Sequence, residues 1–136
     1  MEKPTGTVTF IFTDIEGSTK LSQQFVDAYP AALEKHHAIL RSAIESNNGY
    51  VFRIAGDAFC CAFGKAEDAV KAAIDIQLNL ANEKWEQVVI KIRIGLHTGT
   101  AEWNGERYMG YITLARTARV MSTGYGEQIV ISNDTY

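Results

Sequence analysis

Phe12-Thr13-Asp14-Ile15-Glu16-Gly17-Ser18-Thr19 brings an apolar run to a carboxylate and then leads through a glycine into residues suited to a helix start. Upstream, residues 7–13 alternate, with Val8, Phe10 and Phe12 on one side and Thr7, Thr9 and Thr13 largely on the other. That pattern predicts a strand with one buried face and Asp14 at its end. Gly17 permits an unusual dihedral or the close approach of a ligand, and Ser18 or Thr19 is suited to cap the helix that follows, leaving backbone N–H groups outward. Such a loop is a place to hold phosphates. The same eight residues equally describe an acidic turn with a good N-cap, so the choice depends on a second acidic turn further along.

The outer limits come from the whole chain. Its 136 residues suffice for one domain with a core and are too few for two. Hydrophobic residues at 46% and charged residues at 21% are ordinary for a water-soluble globular protein, which sets aside disordered and membrane-spanning classes. The net charge is −3 and lysines and arginines form no basic run, so neither a nucleic acid nor an anionic membrane is an expected partner. Met1-Glu2-Lys3-Pro4 leads directly into the first strand without a signal peptide, and no apolar stretch approaches the ~20 residues of a membrane span; a cytoplasmic protein is expected. Cys60 and Cys61 are adjacent in a strand-like run and point to opposite faces, which disfavours a mutual disulfide and predicts reduced core residues.

In chain order, residues 18 to about 28 read as a short helix, and Pro30 as an early residue of a second. Leu33, His37, Leu40 and Ile44 share one face of that helix, His36 lies beside it, and Asn47-Asn48-Gly49 closes it with a glycine in the left-handed position. Without cysteines or carboxylates at ligand spacing, both histidines read as packed or interface residues rather than metal ligands. Residues 50–54 and Ala58–Phe63 read as strands joined by Ala55-Gly56-Asp57, a hairpin with an aspartate at its tip. A helix is expected over Ala66–Asn82, with Ala66, Val70, Ala73, Ile76 or Gln77, and Leu80 on its apolar face and Trp85 closing the core beyond it. Residues 88–96 read as a strand, His97-Thr98-Gly99 as a turn, residues 100–109 as an exposed ribbon around Asn104-Gly105, residues 112–122 as a helix and 128–132 as a strand. Interleaved strands and helices with hairpins predict a mixed sheet with helices on one main face.

If the strands ending at Asp14 and at the Asp57 hairpin are neighbours, both carboxylates reach one edge of the sheet. Hard oxygen ligands of this kind suit Mg²⁺ or Mn²⁺, which keep several waters and share their coordination with substrate phosphates. Two such ions clamp a triphosphate. Asp57 alone also fits an ordinary turn aspartate after glycine.

Three collinear motifs extend this. The run from Val8 to Thr19, then Gly56-Asp57-Ala58-Phe59, then Arg93-Ile94-Gly95-Leu96-His97-Thr98-Gly99 closely resembles the catalytic domain of class III nucleotide cyclases, over nearly the whole chain. The resemblance implies an α/β (α+β), ferredoxin-like mixed sheet with helices, working as a head-to-tail homodimer that cyclises a nucleoside triphosphate at its interface. It implies that Asp14 and Asp57, with the Ile15 carbonyl, hold two Mg²⁺ or Mn²⁺ ions, and that the backbone of Ile15, Glu16, Gly17 and Ser18 holds the β and γ phosphates. Arg119 matches the arginine that steadies charge on the α-phosphate, supplied by the opposite protomer.

The departures from the family concern the substrate. Arg53 stands where purine-specific members usually carry a base-reading lysine. Around Gly110 the chain offers Arg107-Tyr108-Met109 in place of the partner base reader, and Ala115 stands where an asparagine usually holds the ribose. Arg53, Arg107, Tyr108 and Tyr111 are therefore the candidates for an atypical base pocket. Gly110 and Arg119 are one residue further apart than in the usual pattern. The resemblance also implies that residues 1–136 form a single cyclase homology domain lacking its last helix and strands. The alternative is a catalytically weak or inactive nucleotide-binding and dimerisation module of a larger signalling protein. Ala55-Gly56-Asp57-Ala58-Phe59 also faintly resembles the signature loop of diguanylate cyclases, without the acidic residue that should adjoin the aspartate.

Overall fold

The alternating run around Phe10 forms the central strand of a mixed sheet in the computed structural model, which describes residues 3–136. The elements in order are β1 (Gly6–Ile15), α1 (Ser18–Gln24), α2 (Tyr29–Ser46), β2 (Tyr50–Ala55), β3 (Ala58–Phe63), α3 (Ala66–Asn82), β4 (Ile92–Trp103), β5 (Tyr108–Met109), α4 (Tyr111–Ser122) and β6 (Ile129–Ile131). The strands lie in the order β2-β3-β1-β4-β5, with β6 also paired to β4. All pairings are antiparallel except the parallel β4–β6 pair. This is the mixed α+β architecture that the residues predict.

β1 is buried on both faces rather than one. Its central position between β3 and β4 explains this, since each of its faces meets a separate core. Ile11 and Ile15 pack with Phe59, Phe63, Ile92, Ile94 and Leu96 beneath α2 and α3. Val8 and Phe10 pack on the opposite face with Ala62, Ala101 and Tyr108. The two buried threonines of β1 use their hydroxyls: Thr9 Oγ1 bonds Thr98 Oγ1 at 2.8 Å, and Thr13 Oγ1 accepts the Phe59 N–H at 3.3 Å.

The helices likewise divide between the two faces, with α4 against the face that carries Gly95 and Gly99. A methyl group on Gly95 would lie 2.4 Å from Met121 Cα, and one on Gly99 would lie 2.7 Å from Thr113 Oγ1. Gly99 is thus a point of helix–sheet contact and not a turn residue. β4 continues straight through His97-Thr98-Gly99 because β1 pairs with it from Gly6↔Ala101 to Ile15↔Ile92. Residues 88–91 precede the ladder, although Val88 and Ile90 are buried in the core.

Several helix details differ from expectation. α1 stops at Gln24, and its N-cap is Gly17, left-handed at φ 66°, with no side-chain cap from Ser18 or Thr19. On α2 the buried stripe is Ala32, His36, Leu40, Ala43 and Ile44, so His36 is the packed histidine and His37 flanks it. The left-handed residue after α2 is Asn48 at φ 65°. Gly49 is required for space instead, since a methyl group there would lie 2.5 Å from the Phe63 ring. α3 spans the expected residues and buries Ala69, Ala72, Ala73, Ile76 and Leu80, leaving Ala66 and Val70 partly exposed. Cys60 is half-buried, Cys61 is buried, and both are free thiols. Among the described residues no helix is long and apolar enough to cross a membrane.

Candidate active site

Three neighbouring strands bring charge to one end of the sheet. β3 pairs with β1 as far as Thr13↔Phe59, so the β2–β3 hairpin, turning at Gly56 with φ 64°, delivers Asp57 beside the end of β1. There Asp57 Oδ2 accepts the Ile15 N–H at 3.0 Å. On the other side β4 places Arg93 directly opposite Asp14. Arg93 Nε donates to Asp14 Oδ1 at 2.7 Å and Arg93 Nη2 donates to Asp14 Oδ2, a bidentate fork. These hydrogen bonds push the Arg93 pKa further up, against the burial that lowers it.

The loop after β1 is tied down at its base and open at its crest. The Glu16 N–H bonds the Lys91 carbonyl at 2.9 Å, and Glu16 Oε2 accepts the Gly126 N–H at 2.6 Å. A methyl group on Gly126 would lie 2.8 Å from Glu16 Oε1, so only glycine fits under that carboxylate without displacing it. The first helical hydrogen bond runs from Leu21 N–H to the Gly17 carbonyl at 3.0 Å. The N–H groups of Gly17, Ser18 and Thr19 precede it and lack a helical partner. A cavity of about 510 Å³ lies alongside, lined by Ile15, Glu16, Gly17, Arg93 and residues 122–125. Asp14 and Asp57 stand at the base of this loop, their carboxylates held by Arg93 and by the Ile15 N–H respectively. Among the described residues no group of three or more histidines, cysteines and acids converges.

The other sequence-predicted residues are dispersed. Arg119 is exposed in the last turn of α4 and makes no side-chain hydrogen bond or ion pair among the described residues. Ala115 precedes it by one turn and is partly exposed. Arg53 is exposed on β2 after a bulge between Val51 and Arg53, in register with Cys60. Arg107 is exposed in a turn where Asn104 Oδ1 accepts the N–H groups of both Glu106 and Arg107 at 2.9 Å. Tyr111 is exposed.

Tyr108 is placed differently from a base-stacking residue. Its ring meets those of Phe10, Phe52 and Trp103 at centroid distances of 5.3, 4.9 and 5.2 Å, and its hydroxyl donates to the Pro4 carbonyl at 2.9 Å. Burial pushes its pKa up to about 12. The residue is therefore a pillar of the second core. The ribbon reading captured the turn and missed this inward side chain, because its partners Phe10, Phe52 and Trp103 come from three other strands.

Arg93 is the site residue that sequence reasoning left without a role. Its signal is a cation at the start of the apolar run Ile92–Leu96, but its partner is 79 residues away and emerges only with the β1–β4 register. His97, expected in a turn, is a buried strand residue whose Nδ1 lies 2.7 Å from Ser132 Oγ.

Comparison with known proteins identifies the family and the fold. Residues 1–136 match the family model described as the adenylate and guanylate cyclase catalytic domain. An uncharacterised protein of Mycobacterium tuberculosis is 37% identical over 134 residues, covering 97% of this chain and 45% of that protein. The chain thus spans less than half the length of the first curated relatives it matches. Among solved structures, an adenylate cyclase from Trypanosoma brucei in its monomeric state superposes with a TM-score of 0.91 at 27% identity, covering all of this chain and 77% of that one. The guanylate cyclase domain of a protein from Catenaria anguillulae, solved in complex with GTP, gives a TM-score of 0.85 at 29% identity, covering 99% and 82%. With its whole described length matched, the chain belongs to the adenylate and guanylate cyclase catalytic domain family.

Proposed function

We propose that the domain converts a nucleoside triphosphate into a 3′,5′-cyclic nucleotide and pyrophosphate, with two Mg²⁺ or Mn²⁺ ions, in a site completed by a second copy of the chain. The observation that carries this reading is the meeting of Asp57 with the Ile15 N–H, one residue beyond Asp14, at the base of an open loop. Asp14, Asp57 and the Ile15 carbonyl would hold the ions. When bound, such ions lower the pKa of the ribose 3′-hydroxyl and neutralise charge on the departing pyrophosphate.

The chain's own groups bind and orient. The open N–H groups of Gly17 and Ser18 donate to the terminal phosphates, and the Ile15 N–H stays with Asp57 to fix the loop. Glu16 acts through its bond to Gly126, which holds the loop in place and keeps its negative charge engaged. The reaction forms the bond from O3′ to the α-phosphorus, breaks the bond from that phosphorus to the bridging oxygen, and releases the hydroxyl proton. Arg119 of the opposite protomer stabilises the charge that builds on the α-phosphate. Its exposure, and the exposed Met109, Tyr111 and Ile112 at the start of α4, support a second copy at this surface. The GTP complex of the Catenaria anguillulae domain supports the substrate class. Arg53 and Arg107 remain the cationic candidates for an atypical base pocket, and Tyr108 is reassigned to the core.

A second reading, a weakly active nucleotide-binding and dimerising module, is favoured by Ala115, which cannot hydrogen-bond a ribose. Asp57→Asn tests the first. Asparagine keeps an acceptor for the Ile15 N–H and removes the charge, so the fold should persist. Mn²⁺-dependent nucleotide binding should weaken and turnover fall by about a hundredfold or more. Unchanged binding and turnover would remove Asp57 from the metal site.

A further inference from the structure

The bidentate pair between Arg93 and Asp14 occupies both carboxylate oxygens that a divalent ion would need. Both oxygens of Asp14 are engaged by the guanidinium, and the pairing is set by backbone register, since the two residues face each other across β1 and β4. Both side chains are largely withdrawn from water, at 22% exposure for Asp14 and 28% for Arg93. Asp57 differs, giving one oxygen to a backbone N–H. Arg93 also borders the cavity beside Gly17, where its Nη1 lies 3.5 Å from the Ser122 carbonyl. The guanidinium therefore stands between the Asp14 carboxylate and a cavity that Gly17 and Glu16 also line, the Glu16 carboxylate being bonded to the Gly126 N–H.

We propose that Arg93 is an internal counter-cation that withholds Asp14 from divalent ions until a polyphosphate enters the adjoining cavity, making metal loading conditional on that anion. The proposal rests on the reading of Asp14 and Asp57 as metal ligands. A divalent ion arriving alone must displace a two-point, charge-assisted hydrogen bond and leave a partly buried guanidinium unpaired. An incoming polyphosphate takes up the guanidinium donors and removes that penalty. By linkage, the ion then strengthens polyphosphate binding by the same factor.

The test measures Mn²⁺ binding to the whole chain by electron paramagnetic resonance, without nucleotide, for wild type, Arg93→Gln, Arg93→Lys and Asp57→Asn. Arg93→Gln should bind Mn²⁺ about tenfold more tightly or better, and its melting temperature should rise more on Mn²⁺ addition than that of wild type. Arg93→Lys, a single-point donor, should fall between them and serves if Arg93→Gln does not fold. Equal or weaker Mn²⁺ binding in both Arg93 variants, with binding to wild type lost in Asp57→Asn, would overturn the proposal and leave the metal site standing. No Mn²⁺ binding in any variant, with or without inorganic tripolyphosphate, would overturn both.

Discussion

Replacing Gly95 by alanine couples the sheet to the proposed catalytic arginine, Arg119, in a measurable way. Gly95 faces α4, and a methyl group there would lie 2.4 Å from both the N and the Cα of Met121 and 2.7 Å from its Cβ. Ordinary carbon contacts begin near 3.4 Å, so the helix backbone must retreat by about 1 Å, and backbone atoms cannot swing aside as a side-chain tip does. Overpacking of this kind costs about 1–3 kcal/mol, and a backbone clash belongs at the upper end. For a chain of this length that lowers the melting temperature by about 8 °C. Met121 is two residues from Arg119, so the retreat also displaces the proposed transition-state cation while leaving Asp14 and Asp57 on their strands. Urea denaturation gives the stability, and turnover measured beside Mn²⁺ binding separates the two effects; turnover should fall with Mn²⁺ affinity retained. Gly64→Ala is the control, since nothing lies within 4 Å of a methyl group there. Gly95→Ala within about 0.5 kcal/mol of that control would refute the packing argument.

His36 is fully buried, its Nε2 has no partner, and its Nδ1 lies 2.9 Å from His37 Nδ1; burial first and His37 second push its pKa down to about 3. Below pH 6.5 the unfolded chain gains a proton that the folded chain refuses, so stability should decline as pH falls from 6.5 toward 3, by up to about 1.4 kcal/mol per pH unit. His36→Gln should flatten that slope in pH-dependent denaturation, and an unchanged slope would assign it to other groups. Ala115→Asn restores a hydrogen-bonding side chain one helical turn before Arg119 and should raise kcat about tenfold or more with little effect on Mn²⁺ affinity; no rise would clear Ala115 as the cause of weak turnover.

The parts of this site that were legible in the amino-acid order are those fixed by local chemistry. Asp14 and Asp57 each sit at a turn announced by glycine, and the hairpin between residues 55 and 58 forms as those residues suggest. α3 spans the expected residues, with Glu67 and Asp68 in its first turn. What was not legible depends on long-range register or on the phase of a helix. Gly99 looks like a turn residue and is instead where α4 touches β4, because the need for space and the freedom of φ both select glycine. His36 and His37 exchange roles through a shift of one residue in the phase of the buried stripe. Tyr108 appears in an exposed ribbon until Phe10 of β1 and Phe52 of β2 are brought against its ring. The Arg93–Asp14 pair needs the full β1–β4 alignment, which no window of neighbouring residues contains.

The most direct measurement supplies ATP, GTP, CTP and UTP separately, each with Mn²⁺, and analyses the products by mass spectrometry beside Asp57→Asn, with light scattering to establish the dimer. A 3′,5′-cyclic product from at least one nucleotide, with pyrophosphate, absent in the variant, is the predicted result. A folded dimer that yields no cyclic product from any of the four nucleotides would contradict the catalytic account and favour the nucleotide-binding module.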